Sequence, residues 1–529
     1  MRLDIETFKG IQPKLASRLL SPETAESCLD CLFDAGNLEA LEDNLPIAAT
    51  LATNTQSLYL YDNTHWFSWP EDVDAIGSPI AQDIYDRVYF TDDVGAKVTS
   101  NLIATGGDPK PVAEYTLGVP APDSAPVAAI NNPGTGVPDD ITDDETRIYI
   151  VTYVTEYGEE GPPSLASNSI TLLAADATAT VSSLPIPSTN TYNITHKRIY
   201  RSALSGDDTS FFFVAQVTLA TTTYNDDKAG TELGGELSTN DFLEPPAGAK
   251  GITMMANGIV SMFTDNEVLF SEPYLPYAYP AAYRRTTEHP VVAMAATQTS
   301  LVVGTEGYPY IFGGISPDSM SQMKLELKQA CVSKQSMVDM GNYVVYASPD
   351  GLVGVSESNA DLITKELFDK RQWASYQPET IRAYYHEGKY IGFYGGSAGF
   401  YFDTDTGDFV PLDFYADAAY ADLLTDSLYL VINDNLFKWR GHSTVRPFTW
   451  RSKVFQSPAI GFTAMKVWTD TPVDVGVDIY VDGSLAYSLA SFPTTSVRIP
   501  DLVGREWQIE LSGTATVERI TLATSMAEL

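Results

Sequence analysis

The sequence predicts an all-β protein: a β-propeller interrupted by one β-sandwich and followed by another. Three observations carry this. Short apolar runs bounded by Gly, Pro, Asn and Asp recur along most of the 529 residues. Tyrosine (30) outnumbers phenylalanine (22), and 37 glycines and 32 prolines are dispersed rather than clustered, a profile suited to strands and tight turns. A turn followed by a strand start recurs at Ile259, Leu301, Tyr343, Tyr390 and Leu428, in steps of 42, 42, 47 and 38 residues. A period near 40 with several strands in each repeat marks propeller blades.

Residues 1–45 are expected to form an N-terminal arm with one short helix. Ser21 can cap it, Pro22 suits its first position, and "ETAESCLDCLFDA" runs at helical spacing to Gly36, a natural C-terminal stop. Residues 46–109 carry "SLYLYD", "THWFSW" and "RVYFTDD" and are assigned to the first part of the propeller.

Residues 110–246 read as an inserted fibronectin type III-like β-sandwich. Its entry is "NNPGTGVPDD", its longest strand leads into the turn "EYGEEG", and the turn is expected to be exposed. Residues 247–450 continue the propeller. Residues 451–529 lose the period and read as a C-terminal β-sandwich, with a hairpin at Asp482-Gly483.

The segment "FSEPYLPYAYP", 270–280, falls between propeller strands. Pro273, Pro276 and Pro280 fix φ and remove three backbone donors, while Tyr274, Tyr277 and Tyr279 can bury rings with hydroxyls still bonded. It reads as a rigid connection. Ser21, Pro22, Pro273, Tyr274, Pro276, Tyr277 and Pro280 are therefore the candidate structural or subunit-interface residues.

With 69 acidic and 32 basic residues the net charge is −37, and no basic cluster exceeds two or three residues. A binder of nucleic-acid phosphates needs more than that. The ten residues "MRLDIETFKG" carry no apolar core of signal-peptide length, and nowhere do eighteen apolar residues run together, so a soluble protein made in a cytosol is expected.

No residue pattern points to a catalytic site, a cofactor or a metal. Cys28-x-x-Cys31 has zinc spacing but lacks a second pair, and the five histidines are scattered. "DTDTGD", 403–408, and "SPDGLVG", 348–354, resemble a calcium loop and a sialidase Asp-box, yet each is more simply a hairpin turn.

The order of "FKG", "RIYIVTYVTEYGEEGPPS", "KRIYRS", "FSEPYLPYAYP", "QACVSKQSMVDMG", "YASPDGLVGV" and "TWRSKVF" resembles that of the tail nozzle proteins of short-tailed bacteriophages, also called tail tubular protein B or the tail hub. The resemblance runs from the arm to at least Phe455. It implies a non-enzymatic virion tail component, made and assembled in the bacterial cytoplasm. It further implies a homohexameric ring below portal and adaptor, contacts with head-to-tail adaptor, tail fibre or tailspike and tip, and transient passage of double-stranded DNA without membrane insertion. A glycan-binding or glycan-cleaving propeller of a phage tail is the alternative, and adhesion to cells through residues 110–246 is a third reading.

Overall fold

The computed structural model describes residues 1–107, 109–135, 144–174, 176–205 and 208–529, so residues 136–140 of the sandwich entry lie outside the described residues. The chain is almost entirely β and divides into two units: Met1–Glu71 with Glu288–Phe312 and Gln322–Leu529, and Asp72–Thr287 with Gly313–Ser321.

The first unit contains four four-stranded antiparallel sheets of propeller-blade type. They begin at strands Val291–Ala296, Val338–Asp339, Arg382–His386 and Ala418–Asp422. These first strands lie side by side in that order, and Ala418–Asp422 in turn neighbours strand Ser57–Tyr61. The repeat seen in the sequence falls on second strands, for example Ser300–Thr305, Val344–Ser348 and Lys389–Tyr394. In the last blade the outer strand comes from the other end of the chain: Leu45–Ile47 pairs with Asn435–Lys438.

Turn chemistry sets these hairpins. Glu387 and Gly388 have φ of 48° and 75°, and Asn433 and Asp434 of 50° and 60°. Positive φ at both central residues makes type I′ turns, whose twist matches the flanking strands. Blades seal face to face, as where Ala293, Val302 and Ile311 meet Val344, Tyr346 and Val353.

The predicted C-terminal sandwich is one nine-stranded sheet that also takes in the N-terminal segment. Its main path runs Arg2–Ile5, Val517–Ala523, Phe455–Thr469, Val497–Gly513, Phe448–Ser452, Thr24–Leu29 and Lys9–Ile11, with the hairpin Val475–Val481/Ser484–Leu489 joined to Val497–Gly513. The Asp482-Gly483 turn is where the sequence put it, with φ of 46° and 80°. Inward residues such as Val477, Ile509, Ile520, Phe462 and Trp507 share one core.

The expected Ser21-Pro22 helix is a strand, and residues 1–45 are not a detached arm. Ala25, Cys28 and Leu32 are buried at helix-like spacing for a different reason. The pairing with Phe448–Ser452 slips between Ala25 and Ser27, and Asp30, at φ 52°, interrupts the strand before Cys31. Each irregularity resets the two-residue alternation, so a bulged strand imitates a helical period. The one α-helix among the described residues is Lys370–Ala374, capped by Asp369 and Gln372 in a reciprocal capping box.

The second unit holds two further four-stranded sheets, Asp74–Gly77 through Tyr115–Thr116 and Lys250–Met254 through Arg285–Thr286, with an inserted two-sheet sandwich between them in sequence. One sandwich sheet orders Val127–Asn132, Thr178–Ser182 and Thr223–Asp226; the other orders Tyr149–Thr155, Ile194–Ser205 and Asp208–Thr218. Ala128, Val181, Val151, Ile199 and Val214 fill the space between. The first strand pairs across to Thr178–Ser182 rather than with its successor. This differs from the neighbouring first and second strands of immunoglobulin-type sandwiches, so the fibronectin III-like assignment is reduced to a sandwich.

The turn "EYGEEG" is exposed as expected at Glu156 and Gly158, but not along its whole length. Glu159 and Glu160 are buried, not exposed. Arg87 Nη1 donates to Glu159 Oε1 at 2.7 Å, and Arg198 Nη1 and Tyr200 Oη donate to the Glu160 carboxylate. Burial raises the Glu159 carboxyl to about 7, against the lowering pull of Arg87.

Candidate functional site

The first strands of neighbouring blades in the first unit begin at one end, and a polar cavity of about 430 Å³ opens there. Asn54, Thr55, Gln56, Arg382, Asp417 and Asp434 form most of its wall, with Tyr415 beside them. Each wall residue immediately precedes or begins a first strand, or sits in a turn beside one: Gln56 before Ser57–Tyr61, Asp417 before Ala418–Asp422, Arg382 at the head of its strand, Asp434 in the type I′ turn.

The polar groups are bound to one another. Arg382 Nη1 donates to the Gln56 and Asp417 carbonyls at 3.0 and 2.8 Å, and its Nη2 to Gln56 Oε1 at 3.0 Å. Asp434 accepts from the Asn54 and Thr55 amides, both at 3.0 Å, and Asp417 from the Asn433 amide at 3.1 Å. Burial raises the Tyr415 hydroxyl above its ordinary value. Both carboxylates are thus hydrogen-bond acceptors for backbone, stapling three chain segments, and a guanidinium holds two of them. Such a mouth is rigid and polar. Among the described residues neither carboxylate is paired with a histidine, serine or cysteine that it could activate.

Two of the sequence motifs lie in hairpin turns. Asp403 Oδ1 accepts the amides of Asp405 and Thr406 in a hairpin turn, and "SPDGLVG" turns between Val344–Ser348 and Gly351–Ser356. Cys28 and Cys31 are buried free thiols, and burial pushes the Cys31 thiol well up. Among the described residues no group of three His, Cys, Asp or Glu side chains is placed to hold a metal ion. No helix among the described residues is long and apolar enough to cross a membrane.

Of the residues singled out from sequence, Ser21 and Pro22 are exposed in the first unit. The other five belong to the second, in the connection between strands Glu267–Phe270 and Arg285–Thr286. Pro276, Tyr277 and Pro280 are buried, Pro273 half-buried and Tyr274 exposed, with φ of 62°. The Tyr274 and Tyr279 amides donate to the Gly258 and Leu243 carbonyls, each at 2.8 Å, and Tyr277 and Tyr279 lie in the unit's core. The segment thus connects two strands of one four-stranded sheet, and, against the expectation of bonded hydroxyls, the buried Tyr279 Oη has no hydrogen-bond partner among the described residues. The polar mouth was missed, although Asn433-Asp434, between two apolar runs, is a readable turn signal.

The fold is all-β with propeller-type blades, as the strand pairing above defines. No family model matches the chain, and no curated protein matches it. Among solved structures it is similar to the computationally designed Ika8 protein (10% identity, 76% of this chain and 99% of that one, TM-score 0.29). It is also similar to the WD40 β-propeller domain of Doa1 (11%, 66% and 91%, 0.26). BamB from Moraxella catarrhalis is a third (10%, 51% and 82%, 0.27).

Proposed function

We propose that the chain is a structural subunit of a short-tailed phage tail, a nozzle whose ring continues the channel through which DNA leaves. The observation that carries this is the charge: −37 over the chain, with several of its arginines engaged by carboxylates. Arg440 pairs with Glu42 and Glu387, Arg446 with Asp30, Asp43 and Asp413, and Arg519 with Asp4 and Glu6. In the other unit Arg201 and Arg147 pair with Asp226, and Arg87 with Asp83 and Glu159. Cations neutralised in this way do not capture phosphates, and the acidic excess repels them. The polar mouth, whose hydrogen bonds staple segments rather than present an acid and a base, supports a non-enzymatic role.

Two measurements test this. Mass spectrometry of purified particles should find the chain, and fluorescent double-stranded DNA should show no retention by it at 50 mM salt. Absence from particles, or DNA binding that weakens steeply with salt, contradicts the reading. Hydrolysis of host surface polysaccharide, lost in Asp417→Asn, would favour the glycan propeller instead.

A further inference from the structure

Glu159 and Glu160 are neighbours at one end of the inserted sandwich and are bound in opposite directions. Glu160 is held by the sandwich itself, since the Thr152, Tyr200 and Arg198 side chains all donate to its carboxylate. Glu159 reaches outward. One of its oxygens accepts from Arg87, which immediately precedes strand Val88–Thr91 of the adjoining four-stranded sheet, and the other from the Thr155 hydroxyl at 3.4 Å. The same turn makes further contacts across this seam. Tyr157 Oη donates to Ser100 Oγ at 3.0 Å, Tyr85 Oη donates to the Glu156 carbonyl at 3.2 Å, and the Tyr85 and Tyr157 rings meet edge to face with centroids 4.9 Å apart. Tyr153 and Ile194 of the sandwich share a core with Tyr89 and Tyr277 outside it.

The covalent attachment is narrow. The chain enters the insert past Gly118, at φ 112°, and leaves it through Glu244 and Pro245, so close by that a Cβ on Gly118 would fall 2.5 Å from the Glu244 Cβ. A folded body joined at one neck can turn about it, with a few residues absorbing the change.

Charge decides how firmly the seam closes. Around Glu159 stand Arg87 and Asp83, Tyr89 on the neighbouring strand, Tyr157 on its own turn and Tyr277 on the proline connection. Asp83 takes the same guanidinium, with Arg87 Nε 2.7 Å from its Oδ2, and all three side chains are buried. One cation therefore serves two carboxylates. With Glu159 protonated the closed trio is neutral; with Glu159 ionised it holds one negative charge in excess, which is costly out of water. Burial accordingly raises the Glu159 carboxyl to about 7.

We propose that the inserted sandwich is a hinged flap, closed on the adjoining sheet while Glu159 is protonated and loosened when Glu159 ionises. It swings about the Gly118 neck as a folded body, because the Glu160 cluster and the Arg201–Asp226 pair lie within it. Opening returns Glu159 to water and releases one proton, so the ratio of open to closed rises between pH 4.5 and 7, by at most about tenfold per unit, and levels off above 7. This goes beyond the ring reading and stands without it.

Pulsed electron spin resonance tests the flap on the full chain, with spin labels at Asp93→Cys, exposed on the sheet, and Asn131→Cys, exposed on the sandwich, the native thiols being buried. One distance is expected at pH 4.5, and a second should grow in by pH 7.5. Hydrogen exchange should meanwhile keep Val151 and Ile199 of the sandwich core protected. Glu159→Gln, which stays neutral, and Asp83→Asn, which leaves Arg87 to Glu159 alone, should each keep the closed distance dominant at pH 7.5. A single distance unchanged from pH 4.5 to 7.5 would overturn the proposal, and that series needs neither variant. Opening as in wild type by either folded variant would overturn it too, as would loss of protection at Val151 and Ile199 alongside the second distance, which is unfolding rather than swinging.

Discussion

The blade Arg382–Leu412 and the inserted sandwich solve the same problem, burying a small β-sheet, with opposite materials. In the blade, Phe400 stacks on Phe409 with centroids 4.6 Å apart, and Trp373, Phe368 and Tyr376 close around them. In the sandwich, Arg201 and Asp226 meet at 2.8 Å with both side chains fully buried, Arg147 and the Tyr149 hydroxyl join the same carboxylate, and Lys197 Nζ donates to the Leu184, Pro185 and Thr221 carbonyls. Aromatic packing is insensitive to pH and salt. A buried ionic lattice is stable only while every member is present. This blade's core is therefore held by packing of uncharged rings, whereas the insert's interior is held by paired charges.

Substitutions can break this contrast from either side. Removing the hub of the lattice, Asp226→Ala, leaves two buried guanidiniums with Glu145 as their remaining carboxylate partner and should cost about 3–5 kcal/mol, read as an earlier unfolding transition of the second unit. Trp373→Ala should cost a comparable amount, about 3–5 kcal/mol, but in the first unit, since the side chain is fully buried and its Nε1 donates to the Ser348 carbonyl at 2.8 Å. Site-specific proteolysis or hydrogen exchange assigns each loss to its unit, and a loss in the wrong one would dissolve the comparison.

The pH dependence sharpens it further. Glu159 titrates near 7 in the folded chain, above the ordinary 4.5, so the folded state binds the extra proton between those values. Stability from this group is present below pH 4.5 and declines as pH rises through 7. Glu159→Gln should flatten that slope in thermal melts of the second unit, and an unchanged slope would place the titration elsewhere. The smallest effect belongs to the proline connection. Pro273→Gly with Pro276→Gly should lower stability by about 1–2 kcal/mol, mostly by loosening the unfolded chain, as a denaturant midpoint would record.

The same contrast explains what could be read from the sequence. Blade strands announce themselves because apolar second strands repeat at near-constant spacing and end in Asn, Asp or Gly turns. The helix at Ser21 failed because a bulge and the left-handed Asp30 disguised a strand. The buried turn at Glu159 and Glu160 failed because two glutamates beside a glycine look like surface, and their arginine partners lie up to 72 residues away. The polar mouth failed for the same reason, being assembled from Gln56, Arg382 and Asp434, which only strand pairing brings together. The capping box at Asp369 is legible in the sequence, an Asp followed three residues later by Gln372.

The central claim is that this chain is a self-assembling structural part. Mass photometry of the purified protein tests it most directly. The account predicts a closed species near six times the 57.6 kDa chain mass, with the number six taken from the tail-nozzle resemblance. A single 57.6 kDa species that persists at every concentration and salt would contradict it.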